Sequence, residues 1–407
     1  MALLSVTEAL ARVTEGLKPL DAERVPLGEC RGRVLADDLA ACLTQPPFDA
    51  SAMDGYAVRA EDVAALPATL RLIGESSAGS GYDGEVGPGE AVRIFTGAPV
   101  PKGADSVVIQ EDTDAAPGVV IVKEAAPHRH IRPRGQDFAV GEVLLRAGVR
   151  LGPRELMLAA AMNHAELPVR RKPKVAILAT GDEVVPTGTE LARDQIVSSV
   201  PAGLAALIEA KGGDPMSLGI AQDTAESLIT LARTGSAADI LVTIGGASVG
   251  ERDLVSAALR SEGLELDFWK IAMRPGKPLL YGRLGPQRVL GLPGNPVSAL
   301  VCGLVFLVPM LHRLLGLREG DGHVEATLGQ AVEANGPRQH YMRATSQWEA
   351  GDRHVTPLPA QDSSLMADFA RADCLIVRPP DAPALASGAR VTIIPLDDGS
   401  LTVRLIP

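Results

Sequence analysis

The chain has 407 residues, enough for roughly two to four domains, and at 46% hydrophobic and 22% charged its composition is ordinary for a soluble globular protein. A net charge of −11 without a long Lys/Arg run argues against a general nucleic-acid binder, which needs a basic face. Four cysteines with no C-x-x-C pair and no Cys/His spacing suited to zinc argue against a structural metal centre, and free thiols point to a reducing compartment. The N-terminus lacks the basic and apolar regions of a signal peptide, so the cytoplasm is the expected location. Ser5 and Glu8 form an S-x-x-E capping box that predicts a helix through about Gly16, and residues 5–40 as a whole read as helical pattern with turns. Residues 41–141 differ. Short β-rich runs at 70–74, 92–95, 106–110 and 119–122, separated by Gly, Pro and Asp clusters, predict a small all-β unit.

Residues 174–318 alternate strands and helices. Strands are predicted at 175–179, 216–220, 240–244 and 289–292, and helices at about 202–210, 224–234, 253–260 and from Pro296. That alternation predicts a parallel sheet with helices on both faces. The apolar run 297–311 is too short to span a bilayer, and we read it as a buried helix rather than a membrane segment. From about 320 strands return, with alternation at 389–394 and 401–405 and no strong helix signal, which predicts a C-terminal β domain.

Three of the α/β strands run into polar, Gly-rich loops, and in a parallel sheet ligands bind outside the carboxyl ends of the strands. The loops are Thr180-Gly181-Asp182-Glu183, the stretch from Gly245 to Asp253, and Leu292 to Ser298. Gly245, Gly246, Ser248 and Gly250 are either a tight turn or a backbone cradle for a phosphate. Asp253 either stabilises a helix dipole or holds Mg²⁺ beside that cradle. Asn295 and Pro296 suit an N-cap and first helical position, and the helix start with Ser298 also makes an anion site. Arg274 and Lys277 place two cations on a Pro/Gly loop. Asp223 with Glu226 reads as a D-x-x-E capping pattern, and Thr96 as part of a rigid hairpin turn. No Ser-His-Asp ordering supports a hydrolase.

Residues 46–58, Pro-Pro-Phe-Asp-Ala-Ser-Ala-Met-Asp-Gly-Tyr-Ala-Val, carry two carboxylates, Asp49 and Asp54, with a turn signal at Asp54-Gly55. This stretch closely resembles the signature of the molybdopterin molybdenumtransferase family, whose members include bacterial MoeA and the C-terminal domain of gephyrin. The resemblance continues at 96–108, 180–183, 245–253, 269–278 and 291–299, and so covers essentially the whole chain. It implies an elongated homodimer of four-part subunits: an α/β domain like that of molybdopterin adenylyltransferases (1–20 with 171–318), a discontinuous linking domain (21–40 with 142–170), an inserted β-rich domain (41–141), and a C-terminal β domain (319–407). The implied reaction is insertion of molybdate into adenylylated molybdopterin with release of AMP, dependent on Mg²⁺. Other enzymes of molybdenum cofactor biosynthesis are its implied partners.

By motif match the implied catalytic positions are Asp54, Thr96, Glu183, Asp223 and Asp253, with Pro293 and Pro296 beside them, and Asp253 with Glu183 would hold the Mg²⁺. Ser248, Arg274, Lys277, Ser298, Arg338 and Ser363 would hold molybdate. Arg274 stands where family members often have Lys, and Asp373 where Asn is common. Two alternatives remain at this level: the adenylyltransferase step of the same pathway, and a non-catalytic pterin-binding scaffold. The segment 46–108 argues against the first, and retention of Asp54, Glu183, Asp223 and Asp253 against the second.

Overall fold

A computed structural model of the chain describes residues 3–246, 254–317, 322–349 and 351–396. The first helix, α1 (Val6–Thr14), opens with the predicted reciprocal cap. Ser5 Oγ accepts from the Glu8 N–H at 3.2 Å, and the Ser5 N–H donates to the Glu8 carboxylate at 3.1 Å. Its apolar stripe, Val6, Ala9 and Val13, is buried in the main core.

The helical reading does not extend to residue 40. Ala22–Pro26 is a strand paired antiparallel with Glu166–Arg170, and Leu39–Ala40 pairs with Val143–Leu145. These partners lie more than 100 residues away, so local periodicity could not reveal them. Together with α2 (Pro153–Ala161) they enclose one core containing Leu35, Leu151, Met162 and Leu167.

Residues 50–132 carry a six-stranded sheet in the order Ser106–Ile109, Gly55–Val58, Glu90–Ile94, Ala68–Ser76, Val119–Val122, Thr113–Ala116. All four predicted runs are strands. Gly55, read as half of a turn, instead begins a strand with a partner on each side. A Cβ there would overlap the Val108 carbonyl oxygen, so only glycine lets the chain enter the sheet directly after Asp54.

The α/β sheet runs in the order Asp214–Ala221, Lys174–Thr180, Ile240–Ile244, Gln287–Leu292, Leu280–Leu284, Glu265–Trp269. The first four strands are parallel. The last two are antiparallel, so the sheet is mixed rather than wholly parallel. Helix α3 (Val200–Ala210) packs on one face with α1, while α4 (Ala225–Thr234) and α5 (Leu254–Ser261) cover the other. A long helix follows as α6 (Pro296–Cys302), a π turn over Gly303–Leu307, and α7 (Val308–Leu315). The π turn lies just before Pro309, which has no N–H to continue the ladder. At 20 residues the whole helix exceeds the predicted apolar run, so length no longer separates it from a membrane span. Its burial in the main core does.

In the C-terminal β domain, strands Gln339–Glu349, Asp352–Pro357, Val324–Leu328, Arg390–Pro395 and Cys374–Arg378 pair in turn. The last also pairs with the first, closing the ring. Met273–Arg274, from the α/β part of the chain, adds to Gln339–Glu349 and ties the two sheets together. A short helix, α8 (Met366–Arg371), was not foreseen. The strand expected at 401–405 lies outside the described residues.

Candidate active site

In register, Ala179 pairs with Ile244 and Ile244 with Leu292, so three strands end together and their loops leave one edge. They frame a cleft of about 1050 Å³. Thr180, Gly181 and Glu183 line it from the first loop, Gly245 and Gly246 from the second, and Pro293 to Pro296 from the third. Asp223 lines it from the loop before α4, and Ser364 reaches it from the C-terminal domain.

Tight backbone packing shapes these loops. Gly245 and Gly246 have φ of 85° and 64°, and a Cβ on Gly246 would overlap Val255. Both positions therefore require glycine. A Cβ on Gly294 would lie 3.6 Å from the Gly245 Cα, so the second and third loops meet backbone to backbone. Thr180 Oγ1 donates to the Ile244 carbonyl at 3.1 Å and pins the first loop to the second. Ser248, Gly250 and Asp253 lie outside the described residues.

Asp223 does not cap α4. Thr224 is the N-cap, its hydroxyl accepting from the Ser227 N–H at 3.2 Å. The Asp223 backbone N–H instead donates to Asp182 Oδ1 at 2.9 Å, and Asp223 stands in the cleft with Glu183. Asn295 holds the N-cap position of α6 without a side-chain cap. Its Nδ2 donates to Ser363 Oγ at 2.9 Å, while the Val297 N–H donates to the Ser363 carbonyl at 3.2 Å. The C-terminal domain thus caps this helix and uses one of the N–H groups that the anion reading had left free. Ser298 is 4% exposed and is not among the lining residues.

Arg274 and Lys277 are exposed on the loop beside Pro278, which itself lines the cleft. Arg338 donates weakly to the Met273 carbonyl at 3.5 Å, next to Arg274. Sequence reasoning missed Arg343. This guanidinium, 2% exposed, donates to the Asp362 carbonyl at 2.6 Å and the Ala360 carbonyl at 3.1 Å, with a longer contact to Gln361 Oε1 at 3.4 Å. It fixes the segment that carries Ser363 to Asn295 and Ser364 to the cleft. The available signal was the alternation of its strand, where Tyr341 and Arg343 share a face.

Asp54 and Thr96 come together away from this cleft. Thr96 donates both its N–H and its hydroxyl to Asp54 Oδ1, each at 2.7 Å. The backbone bond first, and then the hydroxyl, hold the Asp54 carboxyl below its usual range. Arg93 stacks its guanidinium 5.0 Å from the Tyr56 ring centroid and 4.9 Å from that of Phe95, which braces the same strand ends. Thr96 is therefore more than a turn residue. Neither Asp54 nor Thr96 is among the residues lining the cleft of its own chain. No three His, Cys, Asp or Glu side chains gather as a metal centre among the described residues.

Residues 4–163 match the MoeA N-terminal region (domain I and II), 176–313 a probable molybdopterin binding domain, and 325–396 the MoeA C-terminal region (domain IV). The molybdopterin molybdenumtransferase of Haemophilus influenzae is 35% identical over 402 residues, covering 97% of this chain and 99% of that protein. The chain belongs to the molybdopterin molybdenumtransferase family. Molybdopterin molybdenumtransferase 2 of Mycobacterium tuberculosis is 36% identical over 401 residues, covering 96% of this chain and 98% of its own. The crystal structure of a molybdopterin biosynthesis MoeA protein from Pyrococcus horikoshii superposes with a TM-score of 0.84 at 33% identity, covering 97% of this chain and all of that one. The family match thus runs through nearly the whole chain, including the β-rich segment.

Proposed function

We propose that this chain inserts molybdate into adenylylated molybdopterin and releases AMP. The observation that carries the reading is the cleft, where Glu183, Asp223 and the Gly245–Gly246 turn line one space large enough for a nucleotide-sized substrate. The glycine turn lets backbone approach a phosphate closely, and the two carboxylates line the same cleft. Mg²⁺ is the fitting cofactor, because hard carboxylate oxygens in an open cleft suit an ion that keeps several waters. Glu183, with Asp253 as the family resemblance implies, would hold it, and it would offset phosphate charge.

Molybdate is a dianion. Arg274, Lys277 and Arg338 supply positive charge at the domain seam, and Arg343 steadies Ser363 there. The working unit we propose is a homodimer in which Asp54 and Thr96 complete the partner subunit's cleft. That accounts for a rigid, exposed carboxylate–hydroxyl pair with no place in its own cleft. A cytoplasmic location fits the free cysteines at 30, 42, 302 and 374. The enzyme that supplies adenylylated molybdopterin is the natural partner.

The test is AMP release from adenylylated molybdopterin with molybdate and Mg²⁺ varied separately. Release that ignores both would sink the reading.

A further inference from the structure

His340 lies where the α/β and C-terminal sheets join. On its strand it pairs with Arg274 on one side and Arg378 on the other. In-register neighbours project from the same face of a sheet, so one row across three strands reads Arg–His–Arg. Arg338 lies in the bend just before this strand, where it donates to the Met273 carbonyl beside Arg274. The imidazole is 7% exposed and makes no hydrogen bond among the described residues.

Four guanidinium charges act on it: Arg274 from the joining strand, Arg338 and Arg343 from either end of its own segment, and Arg378 from the neighbouring strand. None of the four forms an ion pair among the described residues. Arg338, Arg343 and Arg378 donate to backbone carbonyls instead. Burial first, and then the four cations, push the imidazole down to about 4, and no carboxylate acts on it. A neutral histidine beside four arginines that form no ion pair among the described residues is a place that an oxyanion would relieve. A dianion set against the arginines offsets their field at the ring and favours its charged form.

We propose that His340 is the proton-linked member of the oxyanion site: a tetrahedral dianion of the molybdate class, seated against Arg274 and Arg338, binds together with one proton that settles on His340. This rests on the reading that molybdate is held at the domain seam. The proton comes from solvent and returns to it when the anion leaves. Charged, the ring has two N–H donors and can donate toward the anion.

The experiment is calorimetric titration of the purified full chain with molybdate alone, in buffers of different ionisation enthalpy, between about pH 5.5 and 8. Where the anion restores the ring to its ordinary value of 6.5 from about 4, affinity at about pH 5.5 is about tenfold that at about pH 8. We expect that rise, with proton uptake approaching one per molybdate at the acid end. In His340→Gln and His340→Asn the uptake disappears and affinity becomes flat with pH. Binding without proton uptake in the wild type, or equal uptake in a folded variant, overturns this inference and leaves the molybdate reading standing. No molybdate binding by the wild type at any pH overturns both.

Discussion

Replacing Arg343 by alanine should cost the protein both stability and turnover. Its two short bonds, 2.6 Å to the Asp362 carbonyl and 3.1 Å to the Ala360 carbonyl, set the scale. The 3.4 Å contact to Gln361 Oε1 adds little. A hydrogen bond from a charged donor contributes about 1.5–3 kcal/mol, and removing the donor takes that partner from both carbonyls, although the Asp362 carbonyl keeps the Leu365 N–H at 3.3 Å. Two such bonds give about 3–6 kcal/mol for Arg343→Ala, a large share of the ~5–15 kcal/mol that holds a domain together. Arg343→Lys keeps the charge but cannot span both carbonyls, so it should lose about half as much, ~1.5–3 kcal/mol. Urea unfolding followed by circular dichroism measures these losses. AMP release from the folded Arg343→Lys variant should fall about tenfold or more in kcat/KM, because Ser363 and Ser364 are no longer fixed against the cleft. An Arg343→Ala protein within about 0.5 kcal/mol of wild type, with normal turnover, would refute the anchoring role.

The remaining predictions concern acid, carboxylates, glycine and the dimer. His340 is held at about 4 against an ordinary 6.5, so the unfolded chain takes up its proton first as pH falls. The stability is whole above about pH 6.5 and declines toward pH 4 by about 3 kcal/mol, and His340→Gln should flatten that decline in urea midpoints taken across the range. Glu183→Gln and Asp223→Asn should each lower AMP release by about 100-fold or more with unchanged circular dichroism, and near-normal turnover in either would remove that carboxylate from the chemistry. Gly55→Ala should cost about 2–4 kcal/mol, since its Cβ meets the Val108 carbonyl in a two-sided strand; a melting temperature equal to wild type would contradict the close approach. Mixing Asp54→Ala chains with Glu183→Gln chains should restore activity, because each heterodimer then holds one intact cleft; exchanged subunits without recovery would place Asp54 in its own chain's site.

Much of the α/β part was legible in the sequence because its signals are local. A continuous apolar run such as 175–179 has the pattern of a strand buried on both faces, and Gly245-Gly246 stops the next strand at a place where side chains do not fit. The edge strands Leu280–Leu284 and Glu265–Trp269 were not read from the sequence at all, and their antiparallel direction is not a local property. Residues 21–40 were misread for the same reason, their partners lying at 142–170. At the site, Asp223-x-x-Glu226 and Thr224-x-x-Ser227 are offset by a single residue, and only the backbone decides that Thr224 caps. Arg343 was hidden by its charge. A buried arginine reads as a surface residue until its carbonyl partners, folded back from residues 360 and 362, are in view.

The most direct measurement gives the purified chain two substrates in separate arms. One contains adenylylated molybdopterin, molybdate and Mg²⁺; the other contains unmodified molybdopterin, ATP and Mg²⁺. AMP and active molybdenum cofactor are counted together, the latter by reconstituting a cofactor-free molybdoenzyme. Insertion at this cleft predicts one active cofactor for each AMP in the first arm, no AMP when molybdate is left out, and no adenylylated product in the second. Adenylylation of molybdopterin in the second arm, or AMP without active cofactor in the first, would contradict it.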